Sequence, residues 1–258
     1  MKYKLLLVIA LIFSFYKSSN AQGIKGKVEG LKESVQAMKK KKAEECFDGY
    51  SYSKAIPLYK ELIVLGDSSG ERRIAESYRK LDQIDSAEVW YGKLMEYSDV
   101  NAEDIYHYSE VLKINKKYKA ADEWLTKYKE KKEEDSRAER KLANNNYSEM
   151  AVDKGQFKLF HITENEKNAD FGAAFWNNKI VFASSREIQG EIIKRQYNWD
   201  NQPFLDMYVS DRKNDGQLHT PKHFHKELNT RYHEGPACFS SDGSEMYFTR
   251  NNYYQKKE

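Results

Sequence analysis

The sequence predicts a multidomain α+β protein in which an α-helical solenoid precedes a part built from β-strands. Three observations support this prediction. Small residues recur every 32 to 34 positions in the first half, the hydrophobic period falls to about two after residue 155, and the first 21 residues look like an export signal. We expect a signal peptide at 1–21, a helical-repeat domain with a capping helix at 22–150, and a β domain at 151–258.

The N-terminus has the features of a secretory signal peptide. Lys2 and Lys4 precede a 12-residue apolar run, Leu5–Tyr16, which is shorter than the roughly 20 residues that a membrane span needs. Residues 19–21 then supply the small-x-small pattern at which signal peptides are cleaved. A short buried helix is the alternative. We expect cleavage after Ala21 and an exported mature chain that has no transmembrane segment.

Residues 24–150 are predicted to form helical repeats. Each unit has a small residue in its first helix and another twelve positions later in its second helix, and each is followed one turn on by a large residue. The small residues are Ala43, Ala75 and Ser109 in the first helices and Ala55, Ala87 and Ala121 in the second helices. Small residues where two helices cross allow the close packing of a helical hairpin. A non-repetitive helical bundle is the alternative.

Over about residues 43–130 this pattern resembles the tetratricopeptide repeat (TPR), a helix–turn–helix unit of 34 residues. The terminal proline of the TPR consensus is missing from all three repeats. The charge-rich residues 130–150 read as a capping helix that breaks at 144–146. The resemblance implies an α-helical TPR solenoid.

In a TPR stack the first helix of each unit lines a concave face. An acid follows each first small residue, and cations or aromatic residues flank it at equivalent positions. The candidate partner groove is formed by Lys40, Glu44, Phe47, Arg72, Glu76, Arg79, Tyr106, Glu110 and Lys113. Such a face could clamp a peptide or a partner helix through charge-assisted hydrogen bonds. An ordinary solvated face with self-neutralising pairs is the alternative.

After residue 155 the sequence favours strands. The strand-like runs are Phe157–Ile162, Lys179–Ser184, Phe204–Ser210 and Glu245–Arg250. The segments 170–186 and 233–252 echo each other, with Phe182 and Phe248 at the same point, 66 residues apart. A strand unit recurring at this spacing indicates propeller blades, and the length allows about one and a half of them. The sequence therefore predicts an incomplete β-propeller.

The stretches FGAAFWNNKIVFASSR and NTRYHEGPACFSSDGSEMYFTRNNY resemble the PD40/WD40-like propeller of a Bacteroidetes family of OmpA-related exported proteins. In that family a signal peptide, TPRs and a propeller precede a small β domain and an OmpA-like peptidoglycan-binding domain. The resemblance implies a periplasmic, outer-membrane-associated protein whose partners are envelope proteins, possible secretion-machine subunits among them. We expect this chain to be the N-terminal part of such a protein, with peptidoglycan bound only through the absent C-terminal domain.

Charge and motifs argue against several function classes. Residues 22–150 carry 25 basic and 25 acidic side chains and residues 151–258 carry 15 of each, so neither part has the basic excess of a nucleic-acid-binding domain. The sequence has no HExxH, CxxC, phosphate-loop or G-x-S-x-G motif. We therefore expect no enzyme activity, no cofactor and no nucleic-acid partner.

Four histidines fall within fifteen residues and, with Glu234, could form a zinc site; they are His219, His223, His225 and His233. Two of them flank Phe224 in the alternating pattern of strand neighbours. Chance clustering explains them better than a metal site, and we expect no metal.

The leading functional hypothesis is a non-enzymatic, exported interaction scaffold that links type IX secretion to the cell wall. Two alternatives remain open at this point. One is a general OmpA-type envelope-stability protein, and the other is a ligand-binding or hydrolytic propeller.

Overall fold

The computed structural model describes residues 21–143, 147, 152, 155, 159, 161–165, 168–187 and 196–251. Within this part seven α-helices come first and two small antiparallel β-sheets follow, so the class is only loosely α+β. The predicted signal peptide lies outside the described residues, except for Ala21.

Every helix contacts the next one along the chain. The helices are α1 (Ala21–Asp48), α2 (Tyr52–Val64), α3 (Glu71–Lys80), α4 (Ile84–Leu94), α5 (Ala102–Ile114), α6 (Tyr118–Lys131) and α7 (Ser136–Ala143). A 3₁₀ turn, Ser68–Gly70, precedes α3. Sequential contacts of this kind bury one helical core along the segment.

The small residues that define the sequence repeat lie in this core. All six of them, Ala43, Ala55, Ala75, Ala87, Ser109 and Ala121, are fully buried. Tyr78 and Trp90 contact both the first and the second apolar cluster, and Met95 and Val100 contact both the second and the third. The helical core is therefore continuous from α1 to α7.

The three turns that join the paired helices share one backbone conformation. A left-handed residue stands seven positions after each first small residue: Tyr50, Asp82 and Lys116. The next N–H in each turn donates to the carbonyl oxygen five residues before it, over 2.7 to 2.9 Å. This is a Schellman closure, which usually has glycine at the left-handed position. The repeat thus extends to the backbone, although none of the three positions is glycine.

The β part contains six strands in its described residues. They are β1 (Asp170–Trp176), β2 (Lys179–Ser184), β3 (Asp206–Asp211), β4 (Lys222–His223), β5 (Glu234–Phe239) and β6 (Met246–Arg250). Strands β1 to β4 form one antiparallel sheet in chain order, and β5 and β6 form a separate hairpin.

The hairpin packs on the larger sheet. Val181, Met207 and Val209 are buried on one face of that sheet, and the side chains packed against them include Phe239 and Phe248 of the hairpin. The backbones also approach closely, because a Cβ placed on Gly172 would lie only 2.6 Å from Pro236 Cγ. The β part is therefore two small sheets around one shared core.

The predicted incomplete β-propeller is wrong, because the described residues form a helical segment and small antiparallel sheets with no closed barrel or propeller. The two echoing segments form the hairpins β1–β2 and β5–β6. Each hairpin has a register shift beside a glycine, Gly172 in the first and Gly235 in the second. The sequence echo reflects the bulged strand pairing that the two hairpins share. Strand pairing within a hairpin does not specify that hairpins assemble into a closed propeller.

The strand predictions succeed where β-branched and aromatic residues dominate. β2 has the predicted bounds, and β3 and β6 overlap the predicted runs. β1 and β5 were not among the predicted runs, because their glycine, alanine and proline residues have low strand propensity. Three residues of the predicted strand at 157–162 lie outside the described residues, and the other three, Leu159, His161 and Ile162, are not in a strand, so that prediction is wrong for the part that is described.

One tryptophan of the β part docks on the first helical hairpin. Trp199, in the connection between β2 and β3, meets the Tyr52 ring edge-on, with ring centroids 4.8 Å apart, and stacks with Tyr50 at 6.2 Å. Its indole N–H donates to the Lys80 carbonyl oxygen at 3.0 Å, and its own carbonyl oxygen accepts from the Ser53 N–H at 3.4 Å. This contact joins the β part to the helical segment.

Trp199→Ala should lower the free energy of unfolding by about 2 kcal/mol, because it removes two aromatic contacts and one hydrogen bond. Trp199→Phe keeps a ring and should lose only about 1 kcal/mol. Urea denaturation measures both, and hydrogen exchange at the Ser53 amide reports on the contact itself. Equal stability of wild type and Trp199→Ala would show that the contact does not form in solution.

Ala87→Leu should destabilise the helical segment by about 1–3 kcal/mol, because the fully buried site has no room for three further carbons. Val89→Leu is the matched control, since Val89 lies on the same helix but is 60% exposed. Urea denaturation followed by helical circular dichroism separates the two variants. If both variants are as stable as the wild type, the close packing around Ala87 does not exist in solution.

Candidate functional site

The three acids of the candidate groove lie on α1, α3 and α5. Glu44, Glu76 and Glu110 each directly follow a fully buried small residue. Since consecutive residues on a helix are rotated by about 100°, each acid lies at the same edge of its helix beside the buried contact. Glu44 is exposed, whereas Glu76 and Glu110 are half-buried.

The cations of the candidate groove are held by groups of the protein itself. Lys40 donates to Ser69 Oγ at 3.0 Å, and the Arg72 side chain donates to Asp104 Oδ2 at 2.6 Å. The remaining two, Arg79 and Lys113, contact the Tyr91 hydroxyl at 3.4 Å and Asp122 Oδ1 at 3.8 Å. Lys40 and Arg72 are therefore hydrogen-bonded within the protein, whereas Arg79 and Lys113 make longer contacts.

Phe47 lies beneath the face and not on it. It is 7% exposed and belongs to the first apolar cluster. The guanidinium of Arg73 covers its ring, with 4.3 Å from Cζ to the ring centroid, and also lies 3.7 Å from the Glu76 carboxylate. Arg73 thus lies beside two residues of the candidate groove, and sequence reasoning missed it. Its position one residue after Arg72 was the available signal.

The capping helix α7 covers the C-terminal end of the face. Lys141 on this helix pairs with Glu110 at 2.6 Å and lies 4.8 Å from the Tyr106 ring centroid. Arg137 also stacks on Tyr106, at 4.4 Å. The acid and the aromatic residue that α5 contributes are therefore engaged within the protein. The more open part of the face lies on α1 and α3.

Arg137 is the centre of a network that fastens α7 to the two preceding helices. Its guanidinium donates to Glu103 Oε1 and to Asp135 Oδ2, both at 2.7 Å, and to the buried Tyr128 hydroxyl. The Arg137 guanidinium beside Asp135 holds the pKa of that carboxyl well below its usual range. Burial, together with Asp135, raises the pKa of Tyr128 to about 12. Sequence reasoning missed this network within the charge-rich segment 130–150.

His107 is a second residue of this region that sequence reasoning missed. Its ring lies between the rings of Tyr91 and Tyr106, at 6.3 and 5.7 Å. Burial, with a smaller effect from Arg79, lowers the pKa of His107 from 6.5 to about 4. Its position next to Tyr106 was the only sequence signal. The imidazole is therefore neutral at physiological pH.

The clustered histidines of the β part have separate structural contacts. His233 Nδ1 accepts from the Leu205 N–H at 3.1 Å, and its ring packs on Phe204 at 4.6 Å. His223 stacks on Tyr208 at 4.8 Å and lies 2.7 Å from the Asn229 side-chain amide. Across the described residues, no group of three or more His, Cys, Asp or Glu side chains is arranged to hold a metal ion.

A cavity of about 270 Å³ lies on the larger sheet, against Arg186 and Phe182. Arg186 is buried and donates to Asp170 Oδ1 at 2.9 Å, to Ser184 Oγ at 3.1 Å and to the Glu164 carbonyl oxygen at 3.2 Å. Its guanidinium is therefore committed to holding the chain around β1 and β2. We assign this cavity no ligand.

No protein-family model, curated protein or solved structure matches the chain. Among the helices that the structure describes, none has the length and hydropathy needed to cross a bilayer.

The lowered pKa of His107 makes the stability of the protein depend on pH. Between pH 6.5 and about 4 the unfolded chain binds a proton that the folded chain does not. The contribution of His107 to the free energy of unfolding is fully present above pH 6.5. It is lost as the pH falls, by about 1.4 kcal/mol per pH unit and up to about 3 kcal/mol in all. Urea denaturation from about pH 7 to about pH 5 measures this slope.

His107→Gln should remove most of the slope, leaving the smaller part that comes from His233, whose pKa burial also lowers. His225→Gln is the control because His225 is exposed, and it should keep the slope of the wild type. If His107→Gln has the same slope of unfolding free energy against pH as the wild type, the pH dependence does not come from His107.

Proposed function

We propose that the protein is a non-enzymatic, exported interaction scaffold of the cell envelope, and that the face on α1, α3 and α5 binds its partner. The observation that carries the proposal is the row of Glu44, Glu76 and Glu110, one acid beside each buried small residue of the repeat. An acid repeated on the alternate helices α1, α3 and α5 matches a partner that runs across those helices.

The chemistry of the face favours a partner segment with basic side chains. Glu44 is exposed on α1, and Glu76 is only partly neutralised by Arg73 at 3.7 Å. Lys or Arg of a bound peptide or helix could form charge-assisted hydrogen bonds with these carboxylates. Lys40 and Arg72 are held by the protein's own acceptors and would limit which partners fit.

The envelope setting rests on the sequence. The pattern in residues 1–21 supports export, and the resemblance to OmpA-related exported proteins, among them the type IX secretion component PorE, supports a periplasmic, outer-membrane-associated location. On that resemblance we propose a link between type IX secretion and the cell wall.

The test compares two triple variants that change the net charge equally. Glu44→Gln, Glu76→Gln and Glu110→Gln neutralise the row on the face. The control is Glu96→Gln, Glu123→Gln and Glu130→Gln, three exposed acids located after α4 or on α6. Each protein is used to capture partners from envelope extracts, and thermal melts establish that both variants remain folded.

The face variant should recover the partner about tenfold less than the wild type, and the control should recover it normally. Equal recovery by the two variants would refute the face as the binding site. Secretion-machine subunits among the captured proteins would support the secretion link. Their absence, with other envelope proteins captured, would favour a general envelope-stability role.

A further inference from the structure

Helix α1 carries an exposed apolar stripe that the proposed function does not use. Val28, Leu31, Val35 and Met38 are 51%, 65%, 46% and 70% exposed. Their spacing of three, four and three residues places them on one side of the helix. Lys40 and Glu44 of the face lie about 160° and about 120° around α1 from Met38, so the stripe is a separate surface.

The N-terminal part of α1 extends beyond the helix that packs on it. α1 has 28 residues and α2 has 13, which corresponds to about 42 Å and about 20 Å. The end of α2 reaches α1 near Gln36, whose side chain donates to the Leu65 carbonyl oxygen at 2.7 Å. Val28 and Leu31 precede this point and therefore lie on the projecting part.

A projecting helix of this composition needs support. Gly26 and Gly30 lie inside it, and each lowers helix stability by about 1 kcal/mol relative to alanine. The part of α1 that precedes Gln36 has about 15 residues, a length at which isolated helices are marginal in water, and most helical stability in proteins comes from packing of an apolar face. The stripe is the apolar face available for such packing.

The pattern of the stripe fits a helical partner. Val28 and Val35 occupy one core position of a heptad, and Leu31 and Met38 occupy the other, as in two-stranded coiled coils. A seam confined to these two positions is narrow. Membrane-surface helices instead present broader apolar faces rich in Trp, Phe and Leu. The geometry therefore favours a helix over a lipid surface.

The charges beside the stripe decide what kind of helix fits. The flanking heptad positions are Lys32, Ser34, Lys39 and Lys41. Lys39 also pairs with Glu61 of α2, whereas Lys32 and Lys41 are exposed. A second copy of the chain would bring only the same lysines and serine to these edges. An acidic helix would bring carboxylates, which pair with lysines at such positions.

We propose that this stripe docks an amphipathic α-helix of a partner protein, with aliphatic residues at heptad spacing and Asp or Glu at the flanking positions. Binding would bury the stripe and stabilise the projecting part of α1. This surface is independent of the face with Glu44, Glu76 and Glu110, so either proposal can fail without the other.

The probe is a synthetic helical peptide with leucine at the heptad core positions and glutamate at the flanks. Its affinity for the full chain is measured by fluorescence anisotropy. Leu31→Ser with Met38→Ser removes the centre of the stripe, and because both sites are exposed the fold should be unaffected. Val64→Ser with Val89→Ser is the control, since these valines are 86% and 60% exposed and lie on α2 and α4.

We expect the stripe variant to bind the peptide at least about tenfold more weakly than the wild type, and the control to bind normally. Lys32→Glu with Lys41→Glu should reverse the preference, towards the same peptide with lysine at its flanks. The proposal would be overturned by no peptide binding, by equal binding of the peptide to the stripe variant and the wild type, or by stripe-dependent binding only to phosphatidylglycerol vesicles. Stripe-dependent dimerisation without peptide binding would overturn it as well.

Discussion

The close approach of helices at six small residues is the constraint on which the helical segment depends. With alanine or serine at each crossing, neighbouring helices pack near enough for tyrosine and leucine side chains one turn away to close around the contact. The three Schellman turns meet the same requirement. Each reverses the chain directly after the first helix of a pair, so that the second helix crosses it at the small residues. Tyr50, Asp82 and Lys116 accept a left-handed conformation there, which is unfavourable for residues other than glycine.

This packing also determines where carboxylates are held for binding a partner. An acid that follows a buried small residue has its helix backbone fixed by the core, while its carboxylate remains at the edge of the helix. The same geometry repeats on α1, α3 and α5, and α7 then covers the last of the three through Lys141 and Arg137. The proposed binding face is thus held by a rigid scaffold and is more open at its N-terminal end. Preorganised charges of this kind reduce the ordering cost of binding.

The buried repeat positions could be predicted from the sequence because a core tolerates few residue types at a helix crossing. Ala55, Ala87 and Ala121 are examples, since their spacing and small size are enough to indicate a buried contact. Phe47 shows the limit of that reasoning, because the residue is buried under Arg73 although its repeat position suggested the groove. The Arg137 network and the Trp199 contact depend on groups far apart in the chain, which no local pattern encodes.

The wrong prediction of a β-propeller in the β part also has a physical cause. The echo between the two segments encodes a bulged hairpin with a glycine at the bulge, and the structure contains that hairpin twice. How hairpins pack depends on which faces are apolar. Here the face with Val181 and Met207 packs against Phe239 and Phe248. Sequence periodicity identifies such a face but leaves its partner unspecified.

Native-state hydrogen exchange across the full chain tests the central claim, that one continuous core unites the helical repeats. Because the apolar clusters share Tyr78, Trp90, Met95 and Val100, the slowest amides of α2 to α6 should open with one common free energy. Ala87→Leu should lower that value in all of these helices together. Separate opening energies for the three helix pairs, with only α3 and α4 affected by the substitution, would contradict a shared core.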